Sequence, residues 1–244
     1  MTWTNSDAVD RWSAMPRSLL AEMDADGDFC RRHLLNPVVL RMLGDVAGRR
    51  VLDAGCGNGY LSRTLARLGA TVVGVDPAEA MIGYSRERES RLRQGITYVQ
   101  ADLSDPPDLG EPFDAVVSNV VLCAVPDWKA ALRTCVSSLR PDGVFVFSLV
   151  HPCFEGLLPA WRSYGHYRVD RYLEEYVIPS AYAPDFHRPL SAYLTEVARA
   201  GAHLTEVAEP GLDPAAATSD DLQAYVRLPN FVVISATRAA EVRL

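Results

Sequence analysis

Val51-Leu52-Asp53-Ala54-Gly55-Cys56-Gly57-Asn58-Gly59-Tyr60 is the stretch from which the rest of the chain is read. A short apolar run closes on an acidic residue and meets three glycines at alternate positions. Glycine reaches backbone conformations closed to residues with a Cβ and lets a ligand lie against the main chain. In an open α/β sheet, such a strand–turn–helix unit lies at the carboxyl edge, where ligands bind at the topological switch point. Dinucleotides favour G-x-G-x-x-G, with the pyrophosphate on the helix N-terminus. Here the spacing is Gly55-x-Gly57-x-Gly59 and the third dinucleotide glycine falls on Tyr60, which disfavours NAD.

Outward from this unit, strand and helix patterns alternate. Strands are predicted at 50–54, 71–75, 96–100, 113–118 and 144–150, with helices at 60–68, 78–92 and 128–139 and a turn-rich segment at 104–112. That alternation implies a mainly parallel sheet with helices on both faces. Upstream, helices are predicted over 7–15 and over 17–35, the second interrupted near Asp24-Ala25-Asp26-Gly27. A third runs from Asn36-Pro37 to about Val46, with Asn36 as N-cap and Pro37 at the first helical position. Downstream, the alternation stops between His151 and Pro189 and resumes as a helix at 190–200, a strand at 203–208, a turn-rich loop at 214–221 and a strand at 231–237.

With 244 residues the chain reads as one domain. Its net charge of −7 and single lysine, Lys129, oppose binding to a phosphate backbone, so no nucleic-acid partner is expected. No run approaches the ~20 apolar residues that span a bilayer, so no membrane partner is expected either. The polar start, 1–10, lacks a basic-then-apolar signal pattern, which predicts a cytoplasmic protein. Five cysteines without a C-x-x-C pair fit reduced, mostly buried thiols, and no metal site is predicted. The sequence leaves the oligomeric state open.

The opening segment resembles motif I of the class I S-adenosylmethionine (SAM) dependent methyltransferases, an acidic residue followed by G-x-G-x-G. The resemblance continues over roughly residues 50–150 and is strongest to the small-molecule (UbiE-like, type 11) group. It implies a Rossmann-like α/β fold with a seven-stranded, mainly parallel sheet, the last strand antiparallel, and a cap insert. It also implies SAM as cofactor, S-adenosylhomocysteine as its product, and a small-molecule acceptor. On this resemblance Asp53 and the turn Gly55-Cys56-Gly57-Asn58-Gly59 hold the methionine part of SAM. Asp76 accepts hydrogen bonds from the ribose hydroxyls, as an acceptor-only carboxylate can, and Pro77 and Met81 line the adenine pocket. Asp102 takes the adenine amino group, with Ala101 and Leu103 beside it, and Ser118-Asn119-Val120 borders the transfer centre. Each acidic residue alone reads equally as a helix cap; three closing successive strands beside a glycine-rich turn do not.

A general base is needed only if the acceptor arrives protonated. The candidates are His151, after the fifth strand, and His187, each of which reads otherwise as a loop histidine satisfying a backbone carbonyl. The segment 151–189 holds 8 of the 21 aromatic residues, a density that favours a substrate cap over a small extra core, to which some of them belong in any case. Within it Tyr164, His166, Tyr167 and Arg188 are candidate substrate contacts, Arg188 for an acidic group. Residues 1–49 are expected to form a helical lid, through which Trp12, Phe29 and Arg32 would reach the cofactor. The Asn-Pro-Pro-Tyr signature of many nucleic-acid amino-methyltransferases is missing at 118–121, and Asp127 reads as a helix N-cap rather than a metal ligand. The sequence therefore predicts methyl transfer to oxygen, ahead of nitrogen or carbon, of a small metabolite. The alternatives are a SAM-dependent rearrangement or cyclisation, a non-catalytic SAM-binding partner, and a nucleotide-cofactor oxidoreductase.

Overall fold

The computed structural model describes residues 3–105, 107–180 and 182–240. The first two residues of the polar start, Pro106 in the turn-rich segment and Ala181 in the insert lie outside the described residues. Five strands, β1 (Arg50–Ala54), β2 (Thr71–Asp76), β3 (Thr97–Gln100), β4 (Phe113–Asn119) and β5 (Leu139–Val150), pair in parallel in the order β3-β2-β1-β4-β5. A short hairpin, β6 (Tyr176–Ile178) and β7 (Asp185–His187), lies in the insert. β8 (Ala202–Ala208) and β9 (Phe231–Arg238) complete the sheet, with β9 antiparallel to both β5 and β8. The result is the expected seven strands with an antiparallel last one.

The period of two along each strand sorts its side chains onto two cores. Leu52, Val73, Val116, Phe145 and Ile234 face one side with Trp128 and Leu132 of α6 (Trp128–Ser137) and Tyr193 and Val197 of α8 (Leu190–Arg199). Val51, Val72, Ala115, Val146 and Val233 face the other, with Leu43 of α3 (Asn36–Leu43) and Leu61 and Leu65 of α4 (Tyr60–Arg67). Gly74 sits mid-strand because the Tyr98 ring crosses over it; a Cβ there would lie 2.8 Å from that ring. β1 is flanked by β2 and β4, so the chain leaves it in opposite directions and opens a crevice at its carboxyl end.

Two N-terminal helices, α1 (Asn5–Ser13) and α2 (Arg17–Glu22), lie over that edge, and α5 (Glu79–Leu92) packs beneath them. α1 starts two residues earlier than expected because Thr4 and Asp7 form a reciprocal capping box. The expected N-cap at Asn36 is not formed. Asn36 is helical itself (φ −56°, ψ −42°), and a five-residue π turn, Arg31–Leu35, runs straight into α3. Pro37 explains the widening: its ring crowds the carbonyl one turn back and it has no N–H to donate. Gly44, at φ +69°, ends α3 before the expected Val46.

The insert contains α7 (Leu157–Tyr164) and the hairpin. α7 packs against α9 (Gln223–Arg227), and β7 against the short turn Leu122–Ala124. Phe154, Trp161 and Tyr167 pack against the second core. Part of the aromatic density is therefore core. Among the described residues no helix is long and apolar enough to cross a membrane.

Candidate active site

A cavity opens at the carboxyl ends of β1, β2 and β4, roofed by α1. Its empty space, open solvent at the mouth included, is about 1050 Å³. Of the expected cofactor residues, Asp53, Gly55, Cys56, Gly57 and Asn58 line its floor. Asp76, Pro77 and Met81 line one end, Asp102 and Leu103 the rim, and Asn119 the far wall. Gly59 and Ala101 do not line it. Gly59 holds the turn: at φ +76° its bare Cα lies against Tyr98, Ser85 and Arg63. The Ala101 N–H donates to the Asp76 carbonyl, 3.3 Å away.

The glycines differ in what they allow. A Cβ on Gly55 would run into Val121, whereas one on Gly57 would meet only the Met81 sulfur, at 4.0 Å, and project into the cavity. At φ +54° Gly57 leaves a stretch of bare main chain on the cavity floor. Its N–H donates to Asp76 Oδ2 at 2.9 Å, and the Ala78 N–H donates to Asp76 Oδ1 at 2.9 Å. Burial pushes the Asp76 carboxyl up to about 6 against those two bonds. Burial likewise lifts Asp53 to about 6, although the Ser62 hydroxyl donates to it at 2.5 Å and the Asp76 charge adds to the rise. Buried Asp53 and half-buried Asp76 face one cavity and are suited to a ligand carrying positive charge.

Asn58 turns away from the floor and donates to the Leu20 carbonyl at 2.8 Å, pinning α2 to the glycine turn. Buried Arg63 donates to the Asn58 carbonyl and pairs with Asp24, which also pairs with Arg88. At the rim Asn5 donates to Asp102 Oδ2 at 3.0 Å and accepts from the Asp127 N–H at 2.8 Å. Asp127 caps α6 through the Ala130 N–H, as expected. On the far wall the Tyr60 hydroxyl donates to Asn36 and accepts from Asn119, whose Oδ1 accepts from Ser148. The next residue, Val120, sits at φ +58°, a conformation rare for a β-branched residue and held by two bonds from its N–H to Ser148.

The expected histidines lie elsewhere. His151 is buried, with Nε2 2.7 Å from Glu209 and Nδ1 accepting from the Cys153 N–H. His187 is buried, with Nδ1 2.8 Å from Glu155, Nε2 2.9 Å from the Tyr172 carbonyl, and its ring stacked on Tyr176. Both rings spend their nitrogens on fold contacts, and neither lines the cavity. The expected substrate contacts also fall outside it. Tyr164 and His166 are exposed, Tyr167 donates to the Glu155 carbonyl, and Arg188 is buried against Trp128 and Phe186. Arg188 spends its guanidinium on the carbonyls of Leu122, Val125 and Pro126 instead. Trp12 reaches the cavity, but Phe29 stacks on His33 and Arg32 is exposed. Sequence reasoning named Arg32 and missed Arg31, the neighbour that lines the cavity. It also missed Tyr60, which the glycine spacing exposes only as a non-glycine.

The bare Gly57, the Asp53 and Asp76 carboxylates, the apolar slot at Pro77 and Met81 and the acceptor Asp102 fit an adenosyl ligand with a cationic portion. A sequence model of the methyltransferase domain family matches residues 52–147. The crystal structure of a SAM-dependent methyltransferase from Mesorhizobium loti is 32% identical and superposes with a TM-score of 0.71 over 83% of this chain and 96% of that one. The chain belongs to the class I SAM-dependent methyltransferases. A structure described as a putative SAM-dependent methyltransferase from Listeria monocytogenes, 25% identical, gives the same TM-score of 0.71 over 84% of this chain and 96% of that one. Among curated relatives, the ubiquinone biosynthesis O-methyltransferase of Rhizobium leguminosarum bv. trifolii is 34% identical over 158 residues, 59% of this chain. The match spans 62% of that relative's length. The cofactor of this methyltransferase is SAM.

Proposed function

We propose that this methyltransferase transfers the methyl group of SAM to an oxygen of a small organic acceptor, ahead of nitrogen or carbon. One observation carries the reading. The Asp53 and Asp76 carboxylates and the bare Gly57 open onto the same cavity as the polar wall of Arg31, Tyr60 and Asn119, which supports one shared space for cofactor and acceptor. In this reading Asp53 and the 55–59 turn hold the methionine part, Asp76 the ribose hydroxyls, Met81 and Leu103 the adenine faces and Asp102 the adenine amino group. The oxygen preference is supported by the relatives' description as O-methyltransferases. An acidic chain and a cavity roofed by α1 favour a small molecule over a polymer.

Bound SAM supplies a methyl group already activated by the sulfonium. The protein's part is to orient the acceptor and keep water out; orientation contributes about 7–11 kcal/mol in favourable cases. The proposal routes no proton through His151 or His187, whose rings are engaged elsewhere. The test is calorimetric titration with SAM and S-adenosylhomocysteine, NADH serving as control, followed by an acceptor screen that reads S-adenosylhomocysteine. Product formed one-for-one with S-adenosylhomocysteine supports methyl transfer. Product formed without SAM consumption refutes it and selects a rearrangement or cyclisation.

A further inference from the structure

The far wall of the cavity carries a series of hydrogen bonds whose direction the backbone fixes at both ends. A backbone N–H can only donate and a backbone carbonyl can only accept. At one end the Val120 N–H donates to Ser148 Oγ at 3.0 Å, so the Ser148 hydroxyl gives its own proton to Asn119 Oδ1 at 2.5 Å. At the other end Asn36 Nδ2 donates to the Asp26 carbonyl at 2.9 Å. That turns Asn36 Oδ1 towards Tyr60, whose phenol donates to it at 3.1 Å. Between them Asn119 Nδ2 donates to Tyr60 Oη at 2.6 Å. Both amide orientations and both hydroxyl protons therefore have one assignment. The series also gives the left-handed Val120, at φ +58°, a reason, since its N–H starts it.

Two valences are left over, side by side. Asn119 Nδ2 keeps a second N–H and Tyr60 Oη a second lone pair, and neither has a partner among the described residues. Both residues line the cavity. Burial pushes the Tyr60 phenol above its ordinary value, so the group stays neutral and can only accept from a ligand. One donor beside one acceptor is the complement of a hydroxyl, whose single oxygen receives the N–H and gives its proton to Tyr60. A carboxylate would set its oxygens against the Tyr60 lone pair, and an ammonium its N–H groups against that of Asn119. Burying either charge without a partner is costly. Leu61, Val120, Val121 and Ala124 line the same cavity and suit an apolar frame behind the hydroxyl.

We infer that Asn119 and Tyr60 form the hydroxyl-recognition pair of this cavity, orienting an uncharged acceptor hydroxyl with its proton on Tyr60 Oη and a lone pair on the Asn119 N–H. The inference rests on reading the cavity as the SAM site and narrows that reading. The acceptor is an alcohol or phenol on an apolar frame, bound neutral and held by two hydrogen bonds. The pair positions the acceptor and takes no proton from it.

The test uses the full chain loaded with S-adenosylhomocysteine and titrated near neutral pH with phenol, benzoate and benzylamine. These present the same ring with a neutral hydroxyl, an anion and a cation. Binding is followed on the Asn119 side-chain amide in proton–nitrogen correlation spectra, its signals assigned by their loss in Asn119→Asp. Phenol is expected to shift them at concentrations about tenfold or more below those that benzoate or benzylamine needs. Tyr60→Phe keeps the ring and removes the hydroxyl. It is expected to weaken phenol by about three- to tenfold, with S-adenosylhomocysteine within about twofold of wild type. An Asn119 amide that phenol leaves unmoved, or that either charged probe moves as readily, overturns the inference. So does phenol affinity indifferent to Tyr60→Phe. The wild-type spectra decide the matter even where Tyr60→Phe does not fold. Wild type that binds no S-adenosylhomocysteine sinks the SAM reading and the inference with it, whereas failure with the cofactor product bound sinks the pair alone.

Discussion

At the scale of single residues, Gly57 and Gly59 have the same backbone sign and opposite jobs. Gly59 is bare because Tyr98, Ser85 and Arg63 crowd it, whereas a Cβ on Gly57 would meet only the Met81 sulfur, at 4.0 Å, on the cavity floor. Gly59→Ala is expected to destabilise the fold by about 2–4 kcal/mol, combining left-handed strain with overpacking. Gly57→Ala is expected to cost only the strain, about 1–2 kcal/mol, while weakening SAM by about tenfold or more. Chemical denaturation and calorimetry separate the two, and a Gly57→Ala protein with full SAM affinity would show that SAM does not lie against that main chain. Asp53 and Asp76 make a pH prediction. Their folded values are raised from 3.8 to about 6. Between pH about 4 and 6 the folded protein holds protons that the unfolded chain has released, so stability falls as pH rises through that window. Above it the full cost is present, on the order of 3 kcal/mol per group. A cationic ligand offsets that cost. The rise in Tm caused by SAM is therefore expected to be larger at pH about 7.5 than at about 5; equal shifts would remove the carboxylate–cation pairing from the site.

At the scale of elements, the insert supports the cavity wall from behind. The Arg188 guanidinium donates to the carbonyls of Leu122, Val125 and Pro126 at 3.1, 3.0 and 3.3 Å. Ala124, Val125 and Pro126 in turn line the cavity. Arg188→Met leaves those carbonyls without partners and is expected to cost about 2–4 kcal/mol. It is also expected to speed amide exchange across 122–126. Unchanged exchange there would show that the segment stands without the insert. His187 fastens the hairpin by bridging Glu155 and the Tyr172 carbonyl. His187→Ala is expected to destabilise the protein by about 2–4 kcal/mol, since it strands a buried carboxylate whose proton affinity burial already raises. S-adenosylhomocysteine binding should stay within about twofold of wild type. A large affinity loss with unchanged stability would return His187 to the site.

At the scale of the molecule, hydrogen bonds and ion pairs tie the N-terminal helices to the glycine turn. Asn58 holds Leu20, Arg63 and Arg88 share Asp24, and Asn5 joins Asp102 to Asp127. Arg63 is 3% exposed and has Asp24 as its ion-pair partner. Asp24→Asn is therefore expected to loosen the lid and hasten tryptic cleavage at exposed Arg17. Bound S-adenosylhomocysteine is expected to slow that cleavage in wild type. Equal cleavage with and without ligand would mean that the lid does not close over the site.

The sequence by itself determined the sheet, its strand order up to the family resemblance, and most of the cofactor side of the cavity. Those features rest on local signals: the period of two in 51–54 and 71–75, glycines that only a tight turn needs, and carboxylates closing successive strands. Tertiary structure alone decided the acceptor side. A histidine after a strand reads the same whether it faces a ligand or a glutamate 58 residues away, and His151 faces Glu209. Arg31 rather than Arg32 lines the cavity, held there by Asp28 and by the room that Gly27 leaves for its stem. Side-chain direction across distant elements depends on packing, and packing is set by every neighbour at once rather than by the spacing along the chain.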